Sequence, residues 1–344
     1  MAHATLIIRA DASPHIGTGH LMRMLALAQA WQERGNTAIF VVAMDPGLLA
    51  ERLHLEGFDI VRLVAAPGSL NDAAQTAVLA QAHGARWIVF DGYHFDTLYQ
   101  QTLGGYGIPL LCVDDAGYAG EFVADIILNQ NLLANEELYK KRPKKSRLVL
   151  GPRFALLRRE FWGWRGWVRE VPDVARKILL TLGGSDPDNV TLGMLRSIGG
   201  IGLADANVRV IIGASNPHAD SLCKEASRLG GCCEIIVNTN EMPDHIAWAD
   251  VTVAAGGSTC WELAMMGMPM VLVILADNQQ GLSEALAASG VAINLGWHNT
   301  IQQDSVARTL EALLHDPQRR QAMSDCGREL VDGHGATRVA EFLI

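Results

Sequence analysis

Hydrophobic and polar positions follow a repeated order along this chain: a short apolar run, a polar loop and then an amphipathic helix. The first apolar run, "TLIIRA", leads through a loop into "LMRMLALAQAWQERG", whose apolar residues recur at helical spacing and which ends at Gly35. Glycine is common directly after a helix because it readily adopts the left-handed conformation. Further apolar runs carry polar residues at their carboxyl ends, namely "TAIFVVA", "WIVFDGY", "LLCVDDA" and "DIILNQN". Buried strands that alternate with helices predict a parallel sheet with helices on both faces.

This order is interrupted near residue 150 and then starts again. The interruption holds the basic stretch "KKRPKKSR" and the aromatic, basic stretch "GPRFALLRREFWGWRGWVREVP", after which come "KILLTLGG", "VRVIIGAS", "CEIIVNT", "DVTVAAGG" and "PMVLVIL". We therefore predict an α/β protein of two Rossmann-like parallel-sheet domains that face each other across a cleft, where ligands bind beyond the carboxyl ends of the strands. The predicted boundaries are residues 1–155 for the first domain, 156–175 for a hinge, 176–330 for the second domain and 331–344 for a closing helix.

Composition and charge limit the partners of such a protein. The 344 residues are 49% hydrophobic and 19% charged, as in well-buried globular domains, and the net charge of −9 disfavours binding to nucleic acid or to an anionic membrane. No run approaches the roughly 20 apolar residues of a membrane span, and the N-terminus lacks a signal-peptide pattern, so we predict a cytoplasmic protein without stable membrane insertion. The six cysteines show no metal-like spacing, which predicts reduced thiols. We predict no cofactor, no metal, and a monomer or weak oligomer.

The first candidate for chemistry is the loop "RADASPHIGTGH", residues 9–20. Gly17, Thr18 and Gly19 lie where a strand turns into a helix, so backbone amides and the positive end of the helix dipole are available to an anion. The third glycine of a dinucleotide-binding fingerprint would fall on Met22, and no Gly-Lys-Ser/Thr follows for a P-loop. The loop is therefore either an anion site or a simple tight turn.

His20 occupies the expected first turn of the helix after this loop. The helix dipole disfavours the imidazolium form there, and a neutral imidazole accepts a proton from water as a general base does; capping or packing is the alternative. His15 is expected at the surface or in contact with substrate. Polar residues near strand ends are candidates for sugar contact, with ordinary loop positions as the alternative, namely Asp11, Tyr93, His94, Asn131 and Asn278.

The second candidate is the glycine loop in "LTLGGSDPDN". It directly follows an apolar run and offers backbone groups to a ligand at Gly183, Gly184 and Ser185. Asp186 and Asp188 could together hold a divalent metal. We favour a capping role, because Asp186 suits the start of a helix and Pro187 suits its first position.

The third candidate is the segment "WADVTVAAGGSTCWELAMMGMPMVLVILADNQ", residues 248–279. Its loop offers backbone amides and hydroxyls to phosphate at Gly256, Gly257, Ser258 and Thr259. Glu262 follows about one helical turn later, where phosphate would repel it. A ribose diol would instead donate two hydroxyls to the two carboxylate oxygens; complementing the helix dipole is the alternative. The next strand is expected to end at Asp277, Asn278 and Gln279, with these three polar side chains facing the cleft.

The third segment resembles the UDP-binding segment of the GT-B superfamily, notably the N-acetylglucosaminyltransferase of peptidoglycan synthesis. The opening "RADASPHIGTGHLMRMLALA", together with "DGYHFD", "VDDAGY", "ILNQN", "GPRFALLRREF" and "LGGSDPDN", resembles the UDP-2,4-diacetamido-2,4,6-trideoxy-β-L-altropyranose hydrolases of pseudaminic acid biosynthesis (the PseG family). The resemblance implies a GT-B fold with UDP held mainly by the C-terminal domain. It also implies cleavage of the glycosidic C–O bond with inversion, release of UDP, and a catalytic base at the histidine of the G-x-G-H loop, here His20.

Other functions remain open at this point. A GT-B glycosyltransferase would use the same UDP site with an acceptor in place of water. The tryptophan-rich segment near residues 162–169 could then rest on a membrane to reach a lipid acceptor, although packing at the hinge is favoured. A UDP-sugar sensor would bind without turnover. A UDP-sugar 2-epimerase would need acid and base carboxylates, which the sequence does not identify.

Overall fold

The computed structural model describes residues 3–13, 16–184, 186–200, 206–214, 216–230 and 232–344. It divides the chain into two compact units. The first unit comprises residues 1–159 and 333–344, and the second comprises residues 160–332. The segment predicted as a hinge, 156–175, is therefore shared between the two units.

The first unit begins with alternating strands and helices. They are β1 (Thr5–Ala10), α1 (Gly19–Gln32), β2 (Thr37–Val42), α2 (Leu48–Leu55), β3 (Asp59–Arg62), α3 (Leu70–Ala82), β4 (Trp87–Asp91), α4 (Thr97–Gly104), β5 (Leu110–Val113), β6 (Ile126–Asn129) and β7 (Arg147–Leu150). Short 3₁₀ helices lie at Glu136–Tyr139, Pro152–Phe154 and Arg159–Trp164. In the described part of this unit, seven parallel strands form a sheet in the order β3-β2-β1-β4-β5-β6-β7.

The strand order places two loops of the first unit side by side. Because β1 lies between β2 and β4, the order reverses there, and Ala10 at the end of β1 pairs with Asp91 at the end of β4. Such a reversal is where α/β sheets bind ligands. Below it the two strands are packed in the core, where Ile7 and Phe90 are buried in one hydrophobic cluster with Ala77 of α3. The loop that leads to His20 therefore lies beside the loop that follows "WIVFD".

The second unit repeats this arrangement. Its elements are β8 (Lys177–Thr181), α5 (Val190–Gly199), β9 (Asn207–Ile212), α6 (Ala219–Arg228), β10 (Cys233–Val237), α7 (Met242–Trp248), β11 (Val251–Ala255), α8 (Thr259–Met265), β12 (Met270–Ile274), α9 (Asp277–Ala288), β13 (Ala292–Trp297), α10 (Gln303–Leu314) and α11 (Pro317–Leu330). Over its described residues, six parallel strands form a sheet in the order β10-β9-β8-β11-β12-β13. The order reverses between β8 and β11, so the two predicted glycine loops flank the reversal. The core joins Leu180 and Val253 of these strands to Leu195 of α5 and Leu310 of α10.

The last helix, α12 (Gly335–Glu341), belongs to the first unit. A Cβ added to Gly335 would lie 2.2 Å from the carbonyl oxygen of Ala155. Glycine is therefore required for this close approach of the two backbones. The short closing helix that the sequence predicts is present, and it packs on residues of the first unit.

The tryptophan-rich segment packs within the second unit. The rings of Trp164 and Trp167 meet edge to face at 5.3 Å. Arg169 lies 5.1 Å from the centroid of Trp167 and donates to the carbonyls of Ile246, at 2.7 Å, and Ala249. Burial lowers the pKa of Arg169 to about 10. These contacts favour packing of the segment over exposure to a membrane, and none of the helices in the described residues is both long and apolar enough to span one.

Candidate active site

The loop after β1 delivers His20 to the carboxyl edge of the first sheet. Gly17 adopts a φ of +75°, which glycine tolerates readily. Its amide donates to the Ser13 carbonyl at 2.8 Å, which closes the loop on itself. Helix α1 begins at Gly19, after Thr18, so His20 lies in its first turn as the sequence predicts. The side chain of His20 is 9% exposed, so the fold holds it at the boundary between the core and solvent.

Asp91 orients His20. His20 Nδ1 lies 2.7 Å from Asp91 Oδ1, and Asp91 is fully buried as the last residue of β4. Arg23 contacts both oxygens of Asp91, at 2.5 Å from Nε and 2.6 Å from a terminal nitrogen. Burial alone would raise the pKa of Asp91, but the charges of Arg23 and His20 lower it to about 2.

An ionised Asp91 fixes which nitrogen of His20 is protonated. A carboxylate only accepts hydrogen bonds, so Nδ1 carries the proton and Nε2 keeps its lone pair. Within the described residues, no hydrogen bond engages Nε2 of His20. A histidine in this setting can accept a proton at Nε2 and hold the resulting charge.

The same arginine connects His20 to two further predicted residues. Arg23 donates to Asp115 at 2.8 and 3.1 Å. Tyr93 donates its hydroxyl to Asp115 at 3.1 Å, and the Asn131 amide donates to Asp115 at 3.0 Å. Burial would raise the pKa of Asp115, but Arg23 lowers it below its ordinary value. The Tyr93 ring meets the His20 ring edge-on at 4.8 Å, so Tyr93 lies against the candidate base. Asn131 stabilises Asp115, the second acid that pairs with Arg23.

A cavity of about 300 Å³ lies at this edge of the sheet, at the lower end of the range for small-molecule sites. Its lining includes Asp11, His20, Asp91, Gly92, Tyr93 and His94. Asp11 accepts hydrogen bonds from the amides of Ala43, at 2.7 Å, and Met44, at 3.0 Å, and its other oxygen pairs with Arg9 at 2.7 Å. One role of Asp11 is therefore to join the ends of β1 and β2.

Three residues of this network were not identified from the sequence: Asp91, Arg23 and Asp115. Asp91 was visible only as a polar residue at the end of "WIVFD", and Arg23 as a charge within the apolar face of "LMRMLALA". An arginine on the buried face of a helix requires a buried acid, which was an available signal. His15, predicted at the surface or in contact with substrate, lies outside the described residues, as does Ser185.

The glycine loop after β8 is shaped by its neighbours in the second unit. Gly183 has a φ of +97°, and a Cβ on Gly213 would lie 2.2 Å from the Gly184 carbonyl oxygen. Asp186 accepts hydrogen bonds from the amides of Val190, at 2.9 Å, and Thr191, at 2.8 Å. The predicted capping role of Asp186 is therefore confirmed. The predicted helix start is wrong, because α5 begins at Val190 and Pro187 lies in the preceding turn.

The loop after β11 contains one glycine that is packed and one that is open. A Cβ on Gly256 would lie 2.0 Å from Ser283 Oγ, whereas a Cβ on Gly257 would meet no atom within 4 Å. Ser258 is exposed and Thr259 begins α8, which carries Glu262 in its first turn. The loop therefore presents Gly257 and Ser258 to solvent, with Gly256 as its packed base.

The strand that follows ends earlier than the sequence predicts. Strand β12 stops at Ile274, and Asn278 and Gln279 lie in the first turn of α9. The Gln279 side-chain oxygen accepts from the Leu275 amide at 3.0 Å, and the Gln279 carbonyl accepts from Ser283 Oγ at 2.8 Å. Gln279 therefore stabilises the turn between β12 and α9 through the group that was expected to bind ligand.

Comparison with known proteins relates the second unit to a family of C-terminal domains. Residues 179–337 match the model of the glycosyltransferase family 28 C-terminal domain. The spore coat polysaccharide biosynthesis protein SpsG of Bacillus subtilis is 26% identical over 199 residues, which are 58% of each chain. The UDP-N-acetylglucosamine–N-acetylmuramyl-(pentapeptide) pyrophosphoryl-undecaprenol N-acetylglucosamine transferase of Azotobacter vinelandii is 31% identical over 180 residues, 48% of this chain and 50% of that protein.

A solved structure extends the likeness to the whole chain. MurG of Acinetobacter baumannii superposes with a TM-score of 0.68 at 17% identity, over 99% of each chain. The chain spans about half to three fifths of the length of the curated relatives it matches. The matching model is that of a glycosyltransferase family, so the GT-B part of the resemblance is supported and the hydrolase family stays a prediction. The chain has the GT-B fold, and most of its second unit matches the glycosyltransferase family 28 C-terminal domain.

Proposed function

We propose that this protein is a UDP-sugar-dependent glycosyltransferase of surface polysaccharide synthesis. The observation that carries the proposal is the match of residues 179–337 to a glycosyltransferase family, because that range includes both glycine loops of the second unit. The A. vinelandii relative is named for a UDP-N-acetylglucosamine donor, and the B. subtilis relative for polysaccharide biosynthesis. These names supply the proposed donor class and process.

In this proposal His20 is the general base. Its Nε2 takes the proton of an acceptor hydroxyl as that oxygen attacks the anomeric carbon of the sugar. Asp91 keeps the reactive tautomer and stabilises the imidazolium that forms, while Arg23 holds Asp91 ionised and in place. A single base that activates a nucleophile opposite the leaving group inverts the anomeric configuration.

The glycine loops hold the leaving group. Backbone amides near Gly183 and Gly257, with the hydroxyls of Ser258 and Thr259, would donate to the diphosphate. Fixed donors of this kind stabilise the charge that develops on UDP as the glycosidic bond breaks. Glu262 would accept hydrogen bonds from the ribose hydroxyls, and Asn278 would lie within reach of the same ligand.

Hydrolysis of the UDP-sugar is the second candidate. One observation favours it: Asp11, His20 and Tyr93, which come from the motifs that resemble the hydrolase family, line one cavity of about 300 Å³. Water would then replace the acceptor hydroxyl, and the roles of His20, Asp91 and the glycine loops would be unchanged.

Measurement of UDP release separates these functions. The purified chain is incubated with UDP-N-acetylglucosamine and with UDP-linked diacetamido-trideoxyhexoses, with and without saccharide or lipid-linked saccharide acceptors, and the sugar products are followed by proton NMR. Transfer predicts UDP release that rises with an acceptor, and sugar attached to that acceptor with inverted configuration. Hydrolysis predicts release that no acceptor accelerates, with free sugar as product. Binding without release, or a UDP-linked epimer as product, would exclude both functions.

A matched pair of glycine substitutions tests the loop after β11. Gly256→Ala introduces a clash with Ser283 and Gln279, so the free energy of unfolding should fall by about 1–3 kcal/mol. Gly257→Ala meets open space, so its stability should stay within about 0.5 kcal/mol of the parent. Its methyl group would obstruct a bound diphosphate, and UDP affinity should fall about tenfold. Thermal unfolding and UDP calorimetry measure the two effects; unchanged UDP affinity in Gly257→Ala would remove this loop from the nucleotide site.

A further inference from the structure

The cavity beside His20 carries a second histidine that also faces an aspartate paired with an arginine. In the first arrangement Arg23 pairs with Asp91, and Asp91 contacts His20 Nδ1 at 2.7 Å. In the second, Arg9 pairs with Asp11 at 2.7 Å, and Asp11 Oδ2 lies 3.4 Å from His94 Nε2. Two Arg–Asp–His chains therefore converge on one cavity from the ends of neighbouring strands.

The surrounding backbone fixes the His94 ring. A Cβ on Gly92 would lie 2.9 Å from His94 Cε1, and a Cβ on Gly68 would lie 2.4 Å from the His94 carbonyl oxygen and 3.0 Å from Cδ2. The Phe95 ring packs against the imidazole at a centroid distance of 4.2 Å. The His94 side chain nevertheless remains 29% exposed at the cavity. A ring that is held so closely and still reaches an open cavity is preorganised for a ligand.

Asp11 determines which nitrogen of His94 a ligand would meet. Burial would raise the pKa of Asp11, but His94 and Arg9 hold it well below its ordinary range. The ionised carboxylate faces Nε2 at 3.4 Å and favours the tautomer that carries its proton on this nitrogen. Both facing atoms are shielded from solvent, and neither has a hydrogen-bond partner among the described residues. Their separation is long for a hydrogen bond, as is common at active sites before substrate binds. The nitrogen left for a ligand is Nδ1, which carries a lone pair.

The charge of the cavity indicates what that ligand offers. Asp11 and Asp91 are among the residues that line the cavity, whereas their partners Arg9 and Arg23 are not. Carboxylates repel the phosphates of UDP and favour neutral donors such as O–H or N–H. The residues proposed above for UDP all belong to the second unit. The sugar is the part of the donor that carries neutral O–H and N–H groups.

We propose that His94 contacts the transferred sugar and accepts, at Nδ1, a hydrogen bond from a ring hydroxyl or an acetamido N–H. His94 is then a specificity-determining residue that holds the sugar while His20 activates the nucleophile. This inference rests on the proposed UDP-sugar function, and it applies equally to transfer and to hydrolysis.

Three substitutions of His94 distinguish the two ring nitrogens. Asparagine places a carbonyl oxygen near the position of Nδ1, glutamine places one near Nε2, and alanine removes both. We expect His94→Ala and His94→Gln to raise the KM for the UDP-sugar about tenfold, the typical effect of one lost hydrogen bond of about 1.4 kcal/mol. His94→Asn should raise it no more than about threefold. The exposed His54 of α2 provides the matched control, since His54→Ala should leave the KM for the UDP-sugar unchanged.

Binding of UDP and of the UDP-sugar is measured by calorimetry on the same variants, so the test does not depend on turnover. The expected result is weaker binding of the UDP-sugar with unchanged binding of UDP. Three results would overturn the proposal: His94→Ala binds the UDP-sugar as the parent does, it loses affinity equally for UDP, or glutamine preserves affinity where asparagine does not. If the parent binds the UDP-sugar but releases no UDP, the proposed function fails while the contact of His94 is still tested.

Discussion

Replacement of His20 by asparagine is expected to slow UDP release from the nucleotide sugar by about 10² to 10⁴-fold, the usual contribution of a general base. The asparagine amide can still donate to Asp91, so the support of the site is retained and mainly the Nε2 lone pair is lost. His20 belongs to the first unit and the proposed UDP residues belong to the second. UDP affinity should therefore be the same in the variant and the parent.

Two measurements decide the outcome for His20. Steady-state UDP release gives kcat, and calorimetry gives the dissociation constant of UDP. A variant with full turnover would show that another group activates the nucleophile. A variant that loses both UDP binding and turnover would have a structural defect and not merely a missing base. His54→Ala is the reference for such defects.

Asp91→Asn is expected to have an effect of about 10³ to 10⁴-fold on kcat, because an amide no longer enforces the reactive tautomer. The asparagine can donate to Nδ1, which moves the proton to Nε2 and removes the lone pair from the reacting side. UDP affinity should be unchanged. A kcat within tenfold of the parent would contradict the role of Asp91 as the orienting residue of His20.

The same substitution should also change how stability depends on pH. Asp91 has a pKa of about 2 in the fold against an ordinary value of 3.8, so its folded state favours the ionised form. This stabilisation is present above pH 3.8 and is lost as the pH falls towards 2. At neutral pH Asp91→Asn breaks a buried ion pair, which should lower the free energy of unfolding by up to about 3–5 kcal/mol. The loss should be smaller than this limit because Arg23 still pairs with Asp115 in the variant.

Denaturant unfolding of parent and variant at pH 7 and pH 3 measures this dependence. The stability gap between them should narrow at the lower pH, since the parent then loses the contribution of ionised Asp91. The exposed Asp59 of β3 offers a control in the same unit, and Asp59→Asn should leave the unfolding transition almost unchanged. An equal gap for Asp91→Asn at both pH values would show that the carboxylate charge does not stabilise the fold.

Local features of the active site were predictable because they depend on neighbours in sequence. The apolar run before residue 11, the glycines at 17 and 19, and the helical spacing from Leu21 onward placed His20 in the first turn of α1. Asp186 was likewise predicted as a cap. The start of α5 was predicted three residues too early and the end of β12 at least three residues too late, because turns such as the one that Gln279 stabilises depend on contacts that spacing alone does not reveal.

The sequence by itself determined two series of parallel strands, the loops that follow them and the histidine at the start of α1, since side-chain periodicity and glycine placement act over a few residues. Only the tertiary structure decided that β4 lies beside β1, which brings Asp91 to His20 across 71 positions. It also decided that Arg23 reaches Asp115 and that Asp11 faces His94. Strand order is set by the packing of whole helices against the sheet. The partners of each imidazole therefore depend on the complete fold.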